Sequence, residues 1–397
     1  MKSFKPRESV DQRPLCRVRQ SVFGPEGRAR EVHLSIQASN VGGFREQTEA
    51  VESSYRAILD ELGLPWESAV FRRFCLSDIH TQEPLLRESS LARSTAGDPV
   101  AISMVEQGPL PAGKLALWAY HVHEESLPPV KQAIDSGVAL SRGAFDHLWS
   151  TQVSLPGDAR SLDVAGQTRA AFAAYQEALR ALGATLQENV VRTWIFVPSI
   201  DRNYKAMTDA RRELFADAGL RSDTHYLAST GIAGRSSDPG QDMILEGYAI
   251  RGIDPGQIRY LTAPRHLGPT QAYGVTFERG VSIQYGDRRH VLISGTASID
   301  PDGRVCHVGD VLAQTAHAFD TVAALLAEAG CGSGDLAQII VYLRDPSDQP
   351  SVQAWLDQRF GDTPTLLVHA PVCRPGWLIE VECSAILDRG DARWAAF

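Results

Sequence analysis

Three stretches of the chain carry apolar residues at helical spacing and share the same ends. Gln47 to Gly63 reads QTEAVESSYRAILDELG, Gln167 to Gly183 reads QTRAAFAAYQEALRALG, and Gln314 to Gly330 reads QTAHAFDTVAALLAEAG. In the first, Val51, Tyr55, Ile58, Leu59 and Leu62 fall on one side of a helix, and each closing glycine stands where a helix C-cap belongs. A short polar link leads in each case to an apolar strand: AVFRRFCLSDI, NVVRTWIFVPSI and LAQIIVYLRDP. Carried forward without a gap, the helix offsets lay Arg72 on Arg192 and on Ile339. A second helix-like stretch and two more strands follow, such as KAMTDARRELFADAG with THYLAST and DMILEGYAI, and SVQAWLDQRF with TLLVHAP and WLIEVECSAIL. A β-rich stretch precedes each first helix: EVHLSIQAS, FDHLWSTQVSL and RHVLISGTASI.

The chain therefore reads as three copies of one α+β unit. Pro- and Gly-containing links near residues 130 and 262 suggest units at 1–130, 131–262 and 263–397. The last strand has a feature of its own. Ile379, Val381 and Cys383 fall on one face, and Glu380 and Glu382 on the other. Taken alone, that alternation fits a solvated strand face.

Composition narrows the classes. Hydrophobic residues make up 43% and charged residues 22%, the profile of an ordinary globular protein. A net charge of -9 disfavours sequence-independent nucleic-acid binding. No apolar run approaches the length of a membrane span, and the opening MKSFKPRESVDQRPLCR lacks the apolar core of a secretory signal. The six cysteines are scattered without metal-site spacing, so a cytoplasmic protein with reduced thiols and no metal is expected.

The third copy, HVLISGTASIDPDGRVCHVGDVLAQTAHAFDTVAALLAEAG followed by IIVYLRD, resembles the RidA/YjgF family. That resemblance implies chorismate-mutase-like units which, three to a chain, form a pseudo-trimer with pockets between units. In RidA deaminases an arginine near the start of the penultimate strand binds the substrate carboxylate; here the match puts Thr365 there. From about Thr168 to Ile386 the chain resembles the FkbO-like chorismatases. The shared residues are Arg192 to Trp194, Thr230 with Gly231, Tyr273, Gly274, Phe277 and Arg279, the ISGTASI run, His307 to Asp310, and His369, Cys373, Arg374, Leu378 and Glu380.

The resemblance implies chorismate hydrolysis, with Glu380 as the acid that protonates the enolpyruvyl methylene. Burial and a neighbouring carboxylate both raise a carboxyl pKa, and the Glu380/Glu382 pair offers both. Two substrate carboxylates call for arginines; the candidates are Arg192, Arg279, Arg344 and Arg374. Tyr204, Tyr273 and Thr230 are further substrate-binding candidates. Gly295 and Cys373 match the aromatising chorismatases, which points to 3-hydroxybenzoate and pyruvate as products. No cofactor is expected, and the linked trimer is expected to be monomeric or dimeric. The alternatives are a RidA-type imine or enamine hydrolase and a non-catalytic metabolite-binding protein. Structural roles compete at single residues: an ion pair with Asp345 for Arg344, a β-bulge for Gly295, a packed thiol for Cys373, and satisfied structural positions for His307 and His369.

Overall fold

The computed structural model describes residues 12–13, 15–24, 27–127 and 129–397. Most of the polar opening segment lies outside them. The architecture is α+β, with three sheets. In the first, strands run in the order Gln12–Arg13, Cys16–Phe23, Arg30–Ala38, Leu115–His123, Ala69–Leu76 and Ala101–Glu106. The second runs Ala228–Ile232, Val190–Phe196, Ile244–Arg251, Phe145–Ser150, Gly137–Arg142 and Val130–Ile134. The third runs Ile258–Leu261, Gly280–Gln284, Arg289–Ala297, Ile379–Leu387, Leu336–Leu343, Thr365–His369 and Gly108–Pro109. The strand Ile258–Leu261, on the second unit's side of a boundary at 262, is thus the edge of the third sheet. Gly108–Pro109 crosses over from the first segment to close that sheet's other edge.

The Gln-Thr repeat has a physical basis. The helices Phe44–Leu62, Val164–Ala181 and Val311–Glu328 each bury the pair in their first turns. Each threonine hydroxyl donates to the carbonyl four residues back: Thr48 to Phe44 (2.9 Å), Thr168 to Val164 (2.6 Å) and Thr315 to Val311 (2.7 Å). Each glutamine Oε1 accepts a backbone N–H just ahead of its sheet's central strand, from Lys114 (2.8 Å), Asp242 (2.7 Å) and Leu378 (2.9 Å). A buried amide that satisfies a backbone donor locks helix to sheet. Gly63, Gly183 and Gly330 end these helices at φ 60, 70 and 77°, which a side chain would strain.

One alignment is corrected. The strands Ala69–Leu76, Val190–Phe196 and Leu336–Leu343 each bulge near their start, between Ala69 and Phe71, Val190 and Arg192, and Leu336 and Gln338. Arg192 therefore corresponds to Phe71 and Gln338, not to Arg72 and Ile339. The link before the second strand holds a helical turn, Leu186–Asn189, and is one residue longer.

Each sheet touches both others, which closes a pseudo-trimer. Arg73 of the first sheet pairs with Glu246 of the second (2.6 Å), Arg192 of the second with Glu382 of the third (2.7 Å), and Arg288 of the third with Glu31 of the first (2.6 Å). Aromatic rings converge where the sheets meet, with Trp194 6.4 Å from both Trp118 and Trp149. Among the described residues, no helix is long and apolar enough to cross a membrane.

Candidate active site

The strand Ile379–Leu387 lies between Arg289–Ala297 and Leu336–Leu343, and all nine of its residues are buried. Glu380 and Glu382 both point at the second sheet, yet their surroundings differ. Glu382 accepts from Arg192 Nη2 (2.7 Å), Trp194 Nε1 (2.9 Å) and the Thr230 hydroxyl. Such charge-assisted bonds compensate the burial of an anion. Glu380 takes no part in that network. Burial pushes its pKa up to about 8, with the Glu382 charge adding to the rise and Arg192 opposing it. A carboxyl that holds its proton at neutral pH is a general acid in waiting.

Gly295 explains where that carboxyl sits. The pairing of Arg289–Ala297 with the central strand shifts register between Ile293 and Thr296, so Gly295 lies in a bulge. A Cβ built on Gly295 would come within 2.1 Å of Glu380 Oε1. The space the glycine leaves is taken by the acid itself. Its N–H donates to Thr230 Oγ1 (3.0 Å).

Glu380 opens into a narrow cleft between the second and third sheets, whose free interior is about 30 Å³. Helix Ile200–Asp217 supplies Tyr204 and Arg211, the strand Ala228–Ile232 supplies Ser229 and Gly231, and Val275, Phe277, Arg279, Gly295, Ala297 and Ile299 line the opposite side. The loop after Thr365–His369 adds Cys373, Arg374 and Trp377. The Tyr204 hydroxyl bonds the Cys373 thiol, and burial raises the pKa of both. Cys373 is a neutral packing and hydrogen-bonding group in this state, not an activated nucleophile.

Of the candidate residues, Glu380, Gly295, Cys373, Tyr204, Arg279 and Arg374 meet in the cleft. Arg279 is buried, 6% exposed, and donates to Gly268 O (3.2 Å). Arg192 does not line the cleft, because Glu382 and Thr230 hold its guanidinium. Thr230 is likewise a hub behind the wall. Arg344 pairs not with Asp345 but with Asp201 through two bonds of 2.9 Å, and donates to the carbonyls of Val372, Arg374 and Trp377. It shapes the loop that carries Cys373 instead of meeting a ligand. Tyr273 closes a short 3-10 turn, and its side chain lies outside the described residues. His307 and His369 are exposed and stand outside the cleft.

The residue that sequence reasoning missed is Arg211. Its side chain is 2% exposed, and its Nε and Nη2 have no hydrogen-bond partner. Burial lowers its pKa. An unpaired buried guanidinium at a cavity wall is a receptor for an anion, since leaving it unpaired is costly. Its signal was legible: Arg211 follows Ile200 and Met207 and precedes Phe215 on the buried face of its helix.

Residues 280–387 match the family model described as Endoribonuclease L-PSP. The 3-aminoacrylate deaminase RutC of Acinetobacter baylyi is 31% identical over 93 residues, covering 23% of this chain and 74% of that protein. A RutC family protein of Pyrococcus abyssi is 27% identical over 124 residues, covering 31% of this chain and 89% of that one. The crystal structure of a chorismatase is similar over 80% of this chain and 93% of its own, with a TM-score of 0.61 and 19% identity. That last likeness is one of fold.

Proposed function

This chain belongs to the RidA/YjgF superfamily, matched as Endoribonuclease L-PSP and RutC, and from that premise we propose that it is a chorismatase that converts chorismate to 3-hydroxybenzoate and pyruvate. The observation that carries the reading is Glu380: a buried carboxyl with a pKa of about 8, opening into a cleft walled by Arg211, Arg279 and Arg374. A neutral acid beside cations suits a dianionic substrate with a protonatable double bond.

In this mechanism the enolpyruvyl ether's methylene carbon takes the Glu380 proton. The adjacent carbon gains oxocarbenium character, which makes the side chain a leaving group. The neighbouring ring hydroxyl oxygen attacks the ring carbon that bears the ether, the C–O bond there breaks, pyruvate departs, and the hydroxyl proton passes to the Glu380 carboxylate. The ring epoxide so formed opens at the carbon that first held the hydroxyl. The proton on the carbon that keeps the oxygen is lost as the phenolate oxygen takes one up, which aromatises the ring to 3-hydroxybenzoate. Chorismate divides into the two products with atoms balanced and no water consumed. Arg211, Arg279 and Arg374 bind the two carboxylates; the Tyr204–Cys373 pair shapes the wall beside the ring. The cleft is narrow, so its side chains shift to admit the ring. General acid catalysis of this kind contributes roughly 10²–10⁴-fold.

The family's imine-hydrolysing chemistry is the weaker reading. Thr365 stands where the resemblance expects a carboxylate-binding arginine, and its hydroxyl bonds Thr363 O (2.9 Å) away from the cleft.

The test incubates purified protein with chorismate, follows pyruvate through coupled lactate dehydrogenase, and identifies the aromatic product by chromatography. The expected result is equimolar pyruvate and 3-hydroxybenzoate, with the rate reduced about 10²–10⁴-fold in Glu380→Gln. Absence of pyruvate above the Glu380→Gln background rejects the chorismatase reading. A dihydrodiol or 4-hydroxybenzoate rejects the product alone.

A further inference from the structure

Two carboxylates on one strand face, two residues apart, lie roughly 7 Å from each other, and one buried cation, Arg192, stands close enough to act on both. Which of them it engages decides which stays protonated. Resting on the reading of Glu380 as the acid, we propose that Glu382 is a decoy anion: it engages Arg192 and so keeps that guanidinium off the Glu380 carboxyl, with Thr230 and Trp194 as the positioning residues that hold it there.

The hydrogen bonds are arranged for this. Glu382 receives Arg192, Trp194 and Thr230 together. The Thr230 oxygen also accepts from Arg192 Nη2 (2.6 Å) and from the Gly295 N–H (3.0 Å). One hydroxyl thus ties the anion and the cation to the bulge that seats the acid. Arg192 Nη1 is buried and without a partner. The guanidinium therefore keeps a free donor edge, and if Glu382 releases it, Glu380 is the neighbouring carboxylate to take it.

Other groups face Glu380 as well. Tyr204 and Arg211 come from helix Ile200–Asp217, Arg279 from the segment before Gly280–Gln284, and Cys373 and Arg374 from the loop beyond His369. Tyr342 is its register partner on Leu336–Leu343. The second sheet supplies a built-in control. Glu246 corresponds to Glu382, being paired across from Trp194 as Glu382 is from Ile340, and it too holds a buried arginine, Arg73. Ile244 takes the Glu380 position there, so that pair has no acid beside it and joins two sheets, although Arg73 also feels the Glu382 charge.

The experiment reads the Glu380 proton directly and needs no substrate. The carboxylic-acid carbonyl stretch is followed by infrared difference spectroscopy against pH, with Glu380→Gln as the reference. The wild type is expected to titrate near 8. Glu382→Gln should lower the midpoint by roughly one to three units, because it removes a like charge and frees a cation. Adding Arg192→Met to that variant should bring the midpoint back to within about half a unit of wild type, since burial then acts alone. Glu246→Gln should lower Tm and move the midpoint far less than Glu382→Gln does, because the Arg73 it strands reaches Glu380 only through Glu382 and Arg192; a merely structural role for Glu382 would not separate the two variants. Should Glu382→Gln fail to fold, Thr230→Val carries the same test with a smaller downward shift. A midpoint unmoved in whichever of these two variants folds, or no recovery in the double variant, overturns the proposal. An intact titration in a protein that does not turn over chorismate rejects the reaction instead.

Discussion

The third sheet and the second have the same frame and different contents at one position. Glu380 lies across from Tyr342, Ile244 across from Phe196 and, in the first sheet, Ala116 across from Cys75. Of these three equivalent places, one bears a carboxyl. The neighbouring strand differs in step with it. The register breaks at Gly295 beside Glu380, whereas Phe145–Ser150 and Arg30–Ala38 run against their central strands in unbroken register. The inter-sheet pair two residues along, by contrast, is present twice, as Glu246–Arg73 and Glu382–Arg192. What recurs joins sheets; what occurs once, with a glycine and a bulge to make room for it, serves the cleft.

Glu246→Gln breaks the recurring element and carries the largest expected cost. It strands Arg73 as a buried charge, and a loss of about 3–5 kcal/mol is expected from denaturant unfolding, with kcat per folded molecule unchanged. Gly295→Ala breaks the unique element. Its methyl displaces the Glu380 carboxyl, and a displacement of that order is expected to lower kcat roughly 100-fold in steady-state pyruvate assays.

Arg211→Met sharpens the comparison from the ligand's side. KM should rise about tenfold or more, the worth of a hydrogen bond to a charged group. Tm should hold or rise, because a buried unpaired cation is removed. A fall in Tm with KM unchanged would mark Arg211 as structural.

The smallest effect is on stability against pH. Glu380 is raised from 4.5 to about 8 in the folded chain, so between those values the native state binds a proton that the unfolded state does not. Its contribution is fully present below about 4.5, is lost as pH rises, and levels off above about 8. The difference in Tm between wild type and Glu380→Gln should follow that course.

Local chemistry was legible in the sequence, and distant pairing was not. The Gln-Thr repeat could be found because both side chains do the same job three times, within a few residues of the helix start. The Glu380/Glu382 face followed from strand period, and Cys373, Arg374 and Gly295 came with it through the family resemblance. Arg192 and Arg344 were read as ligand-binding because their partners, Glu382 and Asp201, are 190 and 143 residues away in the chain. Arg211 hid in plain view: an arginine on the apolar face of a helix is a stronger sign than one in a strand-end turn, and periodicity alone would have singled it out.

The central claim is that Glu380 works as a proton donor while neutral. The direct measurement is kcat/KM for pyruvate release from chorismate, taken from mildly acidic to alkaline pH. A plateau is predicted at neutral pH, followed by a tenfold fall per pH unit above about 8 that is missing from the residual activity of Glu380→Gln. Activity that climbs with pH through that range, or a Glu380→Gln variant that keeps the wild-type rate and profile, would contradict it.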